Sequence, residues 1–196
     1  MLKDVPVEGI EQYLNKKCFL CRIKTENDMK TIGIFYGSET GTTADVARRI
    51  AKELGVSDAD IHDVAKTSPV KLGDYDVLLL GSSTWGAGDM AQDWYDFIAG
   101  AQSLDLAGKQ IAVFGCGDES MSDTFCDAVG EIYDKMKETG AEMIGHFNGD
   151  GYDYTSSKAE RDGEFVGLVL DEVNHSDLTD GRIKAWADVV RSSIAD

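Results

Sequence analysis

Positive charge is what this sequence has least of. Nineteen Lys and Arg stand against 36 Asp and Glu, a formal net charge of −17 over 196 residues. A chain so acidic is repelled by phosphate backbones and anionic headgroups. Nucleic acid and membrane therefore drop out as partners, and basic protein surfaces remain. Long hydrophobic runs are missing too, since none approaches the roughly 20 apolar residues of a membrane span. The four cysteines form no disulfide-type framework, which points to a reducing cytoplasm. The three histidines, His62, His146 and His175, have no Ser-His-Asp order and no metal-ligand spacing around them. Each reads as a structural or surface residue, so no general acid–base set and no catalytic residue is expected.

What is present is concentrated in Thr31-Ile32-Gly33-Ile34-Phe35-Tyr36-Gly37-Ser38-Glu39-Thr40-Gly41-Thr42-Thr43. The first part has the β-branched and aromatic content of a buried strand. Of the last seven residues, six are Gly, Ser or Thr. Residues Ala44 to Leu54 then carry apolar side chains at helical spacing, so the loop opens a helix. A helix N-terminus offers free N–H groups and the positive end of a dipole to an anion. The hydroxyls of Ser38, Thr40, Thr42 and Thr43 add donors, and Gly37 and Gly41 let the backbone close in. No Lys lies in the loop, which excludes a G-x-x-x-x-G-K-[ST] triphosphate site, and the G-x-G-x-x-G spacing is absent as well. The loop suits one phosphate monoester held by neutral donors. The alternative is an ordinary strand-to-helix turn with a hydroxyl N-cap.

Residues 1–28 stand apart from the rest of the chain. They hold five basic and five acidic residues, so all of the −17 lies in residues 29–196. They read as an N-terminal extension, disordered and dispensable or an upstream mis-start, with no secretion-signal core. The Cys18-Phe19-Leu20-Cys21 pair has no second pair to complete a metal site, and coincidence explains it best. From residue 29 onward strands are expected at Thr31–Gly37, Ala59–Val64, Tyr75–Gly81, Lys109–Gly115, Glu142–Phe147 and Phe165–Leu170. Helices are expected at Ala44–Leu54, Met90–Gln102, Phe125–Thr139 and from Asp177 through Val190, with a short turn at Ser68–Leu72. Buried strands alternating with helices make a doubly wound parallel sheet, which binds ligands at the carboxyl ends of its strands. Three glycine-rich loops sit at such ends. Trp85, in the second of them, has only small neighbours, and an exposed aromatic plate suits stacking on a flat ring.

Ser38-Glu39-Thr40-Gly41-Thr42-Thr43 fits the pattern [ST]-x-T-G-x-T, and from Met29 to about Ile194 the chain resembles a long-chain flavodoxin. The resemblance implies an α/β fold, a doubly wound five-stranded parallel sheet (flavodoxin-like) whose fifth strand is split by the insertion Asn148–Glu164. It implies bound FMN, with the phosphate on Ser38 to Thr43. Ser83, Thr84 and Trp85 resemble the loop that lays a Trp against the isoalloxazine. In Gly86, Ala87 and Gly88 the peptide after the aromatic residue turns over as flavin N5 gains a proton, which favours a neutral semiquinone. Cys116, Gly117 and Asp118 match the loop that holds the pyrimidine end. Met121 stands where the family usually has a stacking Tyr, and Phe125 and Asp150 complete the implied cofactor contacts.

The acidic balance has a redox consequence. Asp89, Asp93, Asp118, Glu119 and Asp123 lie on or near these loops, and like charge disfavours the reduced flavin anion. Each roughly 1.4 kcal/mol of repulsion lowers a one-electron potential by about 60 mV. The resemblance thus implies a cytoplasmic, monomeric, low-potential one-electron carrier shuttling between semiquinone and hydroquinone. Its expected partners are transient and basic-surfaced: flavodoxin or ferredoxin reductases and ferredoxin-type oxidoreductases. A flavin-dependent quinone reductase needs a nicotinamide site, which is not found. A phosphoacceptor receiver domain needs an acidic pair where this chain has Tyr36-Gly37-Ser38.

Overall fold

Four apolar runs and a broken fifth lie side by side in the computed structural model, which describes residues 30–121 and 123–195. Along the chain come β1 (Ile32–Gly37), α1 (Thr42–Leu54), β2 (Ile61–Asp63), β3 (Val77–Trp85) and β4 (Asp89–Met90). They are followed by α2 (Asp93–Ala101), β5 (Gln110–Gly117), α3 (Asp127–Lys137) and β6 (Glu142–Ile144). The chain ends in β7 (Glu160–Arg161), β8 (Glu164–Phe165), β9 (Leu168–Asp171) and α4 (Thr179–Ala195). The sheet order is β2-β1-β3-β5-β6, all parallel. The fifth position is shared: β6 pairs with Gln110–Ala112 of β5, and β9 pairs with Phe114–Gly117. The expected five-stranded parallel sheet with a split fifth strand is what forms. Expectations for residues 1–28, including Cys18 and Cys21, lie outside the described residues.

The central strands β1, β3 and β5 are largely apolar because both faces are covered. Successive side chains alternate between the two faces. Phe35, Leu78, Leu80, Ile111 and Val113 meet Trp94, Phe97 and Ile132 from α2 and α3 on one side. Ile34, Val77, Leu79, Ala112 and Phe114 meet Val46 and Ile50 of α1 and Ile183 and Trp186 of α4 on the other. Among the described residues no helix is long and apolar enough to cross a membrane.

Several boundaries differ from the sequence reading. The second strand is only Ile61–Asp63, because Asp58–Asp60 forms a 3-10 turn capped by the Ser57 hydroxyl. The second helix starts at Asp93 rather than Met90, since Asp89 and Met90 pair antiparallel with Trp85 and Thr84. The third helix starts at Asp127, because Cys126 is in the left-handed region at φ 52°. The strand expected to run to Phe147 ends at Ile144, where Gly145 turns at φ 78°, and Phe147 forms a lone bridge to Phe165. The insertion holds the β7–β8 hairpin, and Asp127 anchors it through the Lys158 amide at 2.7 Å.

Trp186 closes the break in the fifth strand. Its indole is fully buried and donates to the Gly145 carbonyl at 2.7 Å. Trp186→Phe removes that donor and part of the ring, so it should lower the unfolding free energy by about 2–4 kcal/mol. Urea unfolding checks this; a loss below about 0.5 kcal/mol contradicts the role.

Candidate functional site

One row of the sheet sets the site. Gly37 lies opposite Ser82, Ser82 opposite Gly115, and Gly115 opposite Val169. The loops leaving β1, β3, β5 and β9 therefore all emerge at the carboxyl edge, with β3 running three residues past this row to Trp85 and β5 and β9 two. Three of them are the loops singled out in the sequence.

The first loop ends in an open helix terminus. Gly41 is the N-cap of α1 at φ 94°, without a side chain to cap the first turn. Its own N–H donates to Ser38 Oγ at 3.1 Å, which curls the loop. The first-turn amides of such a helix have no intrahelical acceptor and stay available to an anion. Thr40 and Thr42 present hydroxyls 3.4 Å apart. The Thr43 hydroxyl is buried and makes no hydrogen bond of ordinary geometry, with the Cys116 thiol beside it. A buried unpaired hydroxyl costs about 1–3 kcal/mol, so a ligand that pairs it gains by as much. Glu39 turns away: its Oε1 accepts from the Gln92 amide at 3.3 Å, tying this loop to the start of α2.

The second stretch is less of a loop than the sequence implies. Ser83, Thr84 and Trp85 belong to β3, and Gly86-Ala87-Gly88 turns into β4. Gly86 has φ 52°, and the Gly88 amide donates to the Trp85 carbonyl at 3.0 Å. Trp85 is 41% exposed. The Thr84 hydroxyl accepts from the Ala128 amide at 3.3 Å, docking β3 on α3.

The third loop is held from beneath by a fully buried carboxylate. Asp171 Oδ1 accepts from the amides of Val173 and Asn174 at 2.8 Å each, and Oδ2 from the Glu119 amide at 3.0 Å and the Asn174 side chain at 2.8 Å. Glu119 in turn meets His175 Nε2 at 2.8 Å and the Asp153 amide at 2.9 Å. The Ser120 hydroxyl and amide hold the Asp118 carboxyl below the usual carboxylate range. Met121 is half exposed. The other histidines stand elsewhere: His62 Nε2 lies 2.6 Å from the Tyr75 hydroxyl, and His146 against Tyr133.

These loops enclose a cleft of about 390 Å³. Thr40 and Thr42 line it from the first loop, Ser83, Thr84, Trp85 and Gly86 from the second, and Cys116, Gly117, Asp118 and Met121 from the third. Ser38, Glu39, Gly41, Thr43, Ala87 and Gly88 adjoin it without lining it. Phe125 and Asp150 are not brought to the lining. Phe125 is fully buried, stacked on Tyr154 with ring centroids 5.2 Å apart, and Asp150 is exposed with its carbonyl accepting from Arg182. Glu172 and Val173 complete the lining and were missed. The carboxyl-end rule applied to β9 points to them, but the sequence there reads as polar linker. Asp118 and Glu172 bring negative charge, and among the described lining residues there is no Lys or Arg. The nearby cation Arg49 is taken up by Glu172 at 3.3 Å and Asp180 at 2.7 Å.

A family model described as Flavodoxin matches residues 34–186. Flavodoxin from Nostoc sp. is 43% identical over 164 residues, covering 83% of this chain and 96% of its own. Flavodoxin 1 of Escherichia coli is 44% identical over 160 residues, 81% of this chain and 91% of its own. Among solved structures, a Fusobacterium nucleatum flavodoxin bound to flavin mononucleotide superposes with a TM-score of 0.77 at 28% identity. That match covers 84% of this chain and 99% of the other.

Cys116 sits at the heart of the site, yet burial pushes its thiol from 9.0 up to about 12, with the Thr43 hydroxyl opposing the shift. Only the thiolate reacts. Alkylation of Cys116 in the native chain at pH 8 should therefore run about a thousandfold slower than that of a free thiol. It should speed up only as pH climbs toward 12. Peptide mass mapping after iodoacetamide treatment checks this; rapid labelling of Cys116 contradicts it.

Proposed function

The chain belongs to the flavodoxin family, and on that premise we propose how its own residues hold FMN in the cleft and pass electrons on. As a flavodoxin it is an FMN-based electron carrier. FMN when bound supplies the ring that takes up and releases electrons one at a time. The observation that carries the assignment to this cleft is the meeting of an uncapped helix N-terminus with an exposed Trp. Both stand at the carboxyl edge, where the first loop and Trp85 line one cleft.

The phosphate is assigned to the first-turn amides of α1 and to the hydroxyls of Ser38, Thr40, Thr42 and Thr43. The donor set fits, since the buried Thr43 hydroxyl makes no hydrogen bond of ordinary geometry and the helix end has no side-chain cap. Trp85 offers the ring a plate and Met121 a thioether from the third loop. The amides of Cys116, Gly117 and Asp118 face its polar end. The Gly86 carbonyl would accept a hydrogen bond from a ring N–H placed beside it. Gly86 already has positive φ and Ala87 does not, so turning the exposed Gly86–Ala87 peptide would carry Ala87 toward positive φ, at a cost of about 1–2 kcal/mol.

Charge sets the direction of transfer. With Asp118 in the lining and no Lys or Arg among the described lining residues, added negative charge on a bound ring is disfavoured. A low potential follows, and with it a role as electron donor. The acid surface suits brief docking of basic-surfaced partners, flavodoxin or ferredoxin reductases and ferredoxin-type oxidoreductases, by a monomer. On this reading the chain transfers electrons without transforming a substrate, and it works in the reducing cytoplasm. The buried free thiols Cys116 and Cys126 support that compartment.

The test is an absorption spectrum of the FMN-loaded protein during stepwise dithionite reduction. Two separated one-electron steps, the second well below the first, are expected; a colourless protein that refuses added FMN overturns the reading. Thr43→Val sharpens it. Removing an orphaned hydroxyl should leave the FMN-free protein as stable or about 1 kcal/mol more stable. It should also weaken FMN about 10- to 100-fold by deleting a charge-assisted hydrogen bond. Unchanged FMN affinity in a calorimetric titration would remove Thr43 from the phosphate site.

A further inference from the structure

Three tryptophans are oriented in two different ways. Trp94 and Trp186 are fully buried, and their indoles donate to the Gly81 and Gly145 carbonyls at 2.8 and 2.7 Å. Close packing alone would hold those rings. Trp85 has no such enclosure. It ends β3, it is 41% exposed, and exposed Gly86 and Ala87 come directly after it. What anchors it is one hydrogen bond, from Trp85 Nε1 to Ser83 Oγ at 2.8 Å.

The spacing makes this bond possible. Residues two apart on a strand project to the same side. A short Ser can then stand beneath the edge of a large ring two positions on. Ser83 is itself rigid: only 7% exposed, it pairs with Cys116 in the ladder. Its carbonyl accepts from the Ser82 hydroxyl at 2.9 Å, and that hydroxyl accepts from the Ala91 amide at 3.0 Å. The indole is thus fastened to the frame of the sheet and not to a mobile turn.

We infer that Ser83 is a positioning residue, whose hydroxyl presets the Trp85 indole in the orientation that receives the flavin ring. The inference rests on the FMN reading of the cleft. A side chain ordered before binding spares the complex the cost of ordering it, an effect of about three- to tenfold in affinity for one side chain. Ser83 acts through Trp85.

The experiment compares Ser83→Ala, which removes the hydroxyl, with Ser83→Thr, which keeps it. In the FMN-free protein the indole N–H resonances of the tryptophans are followed by NMR, together with their exchange with solvent. FMN is then titrated into each protein. For Ser83→Ala the Trp85 indole resonance should shift and exchange faster. Those of Trp94 and Trp186 should stay in place, reporting an intact fold. FMN affinity should fall about three- to tenfold, and Ser83→Thr should restore both readouts. An unchanged Trp85 resonance in Ser83→Ala, or equal losses in the Thr variant, overturns the inference. FMN failing to bind the unaltered chain would strike at the functional reading instead, and the FMN-free resonances would still decide whether Ser83 holds the ring.

Discussion

The hydrogen-bond register across Gly37, Ser82, Gly115 and Val169 is the constraint on which everything else rests. Parallel strands can be slid past one another only by whole pleats. A slip of one residue would turn every inward side chain to the opposite face. Here both faces are buried, by Phe35, Leu78 and Val113 on one side and Ile34, Leu79 and Phe114 on the other, and each side chain has a volume it must fill. The core therefore locks the register. The register in turn brings a helix terminus, a tryptophan and a third loop to one edge of the sheet. Stability and site geometry are consequences of the same packing.

The polar groups at this edge divide into two kinds. Asp171 is buried and saturated, with four N–H donors on its two oxygens, and it ties the third loop to the turn after β9. A buried carboxylate is tolerable only when paired in this way. The first loop is left unsaturated: Gly41 cannot cap α1, and the Thr43 hydroxyl has no partner. One end of the cleft is finished internally and holds its shape, while the other holds bonding capacity in reserve for an anion. The described lining residues include Asp118 and Glu172 and no Lys or Arg, and the nearby Arg49 is paired with Glu172 and Asp180. What this end of the cleft offers an anion is neutral donors and a helix dipole.

How much of this was legible in the sequence depends on how local each signal is. The central strands were readable because burial on two faces demands unbroken apolar runs such as Val77–Leu80 and Ile111–Phe114. The chemistry of the first loop was readable because the bonding capacity of Gly, Ser and Thr is local. Boundaries that depend on a partner were not. Asp89 and Met90 look like the start of a helix until Trp85 and Thr84 pair with them. Cys126 interrupts an apparently helical run by adopting a positive φ. Phe125 had the aromatic character of a ring contact, yet Tyr152, Tyr154 and Phe165 claim it for the core.

The sequence by itself determined the fold class, the order of elements and the chemistry of the first loop, since periodicity and side-chain functional groups are properties of short segments. Tertiary structure alone decided which residues share the cleft. Glu172 and Val173 enter it because β9 happens to end beside β5, and Asp150 stays out because Arg182 holds its carbonyl elsewhere. It also decided that Ser83 carries the Trp85 indole. That bond exists only once β3 is extended and its alternate side chains stand on one side.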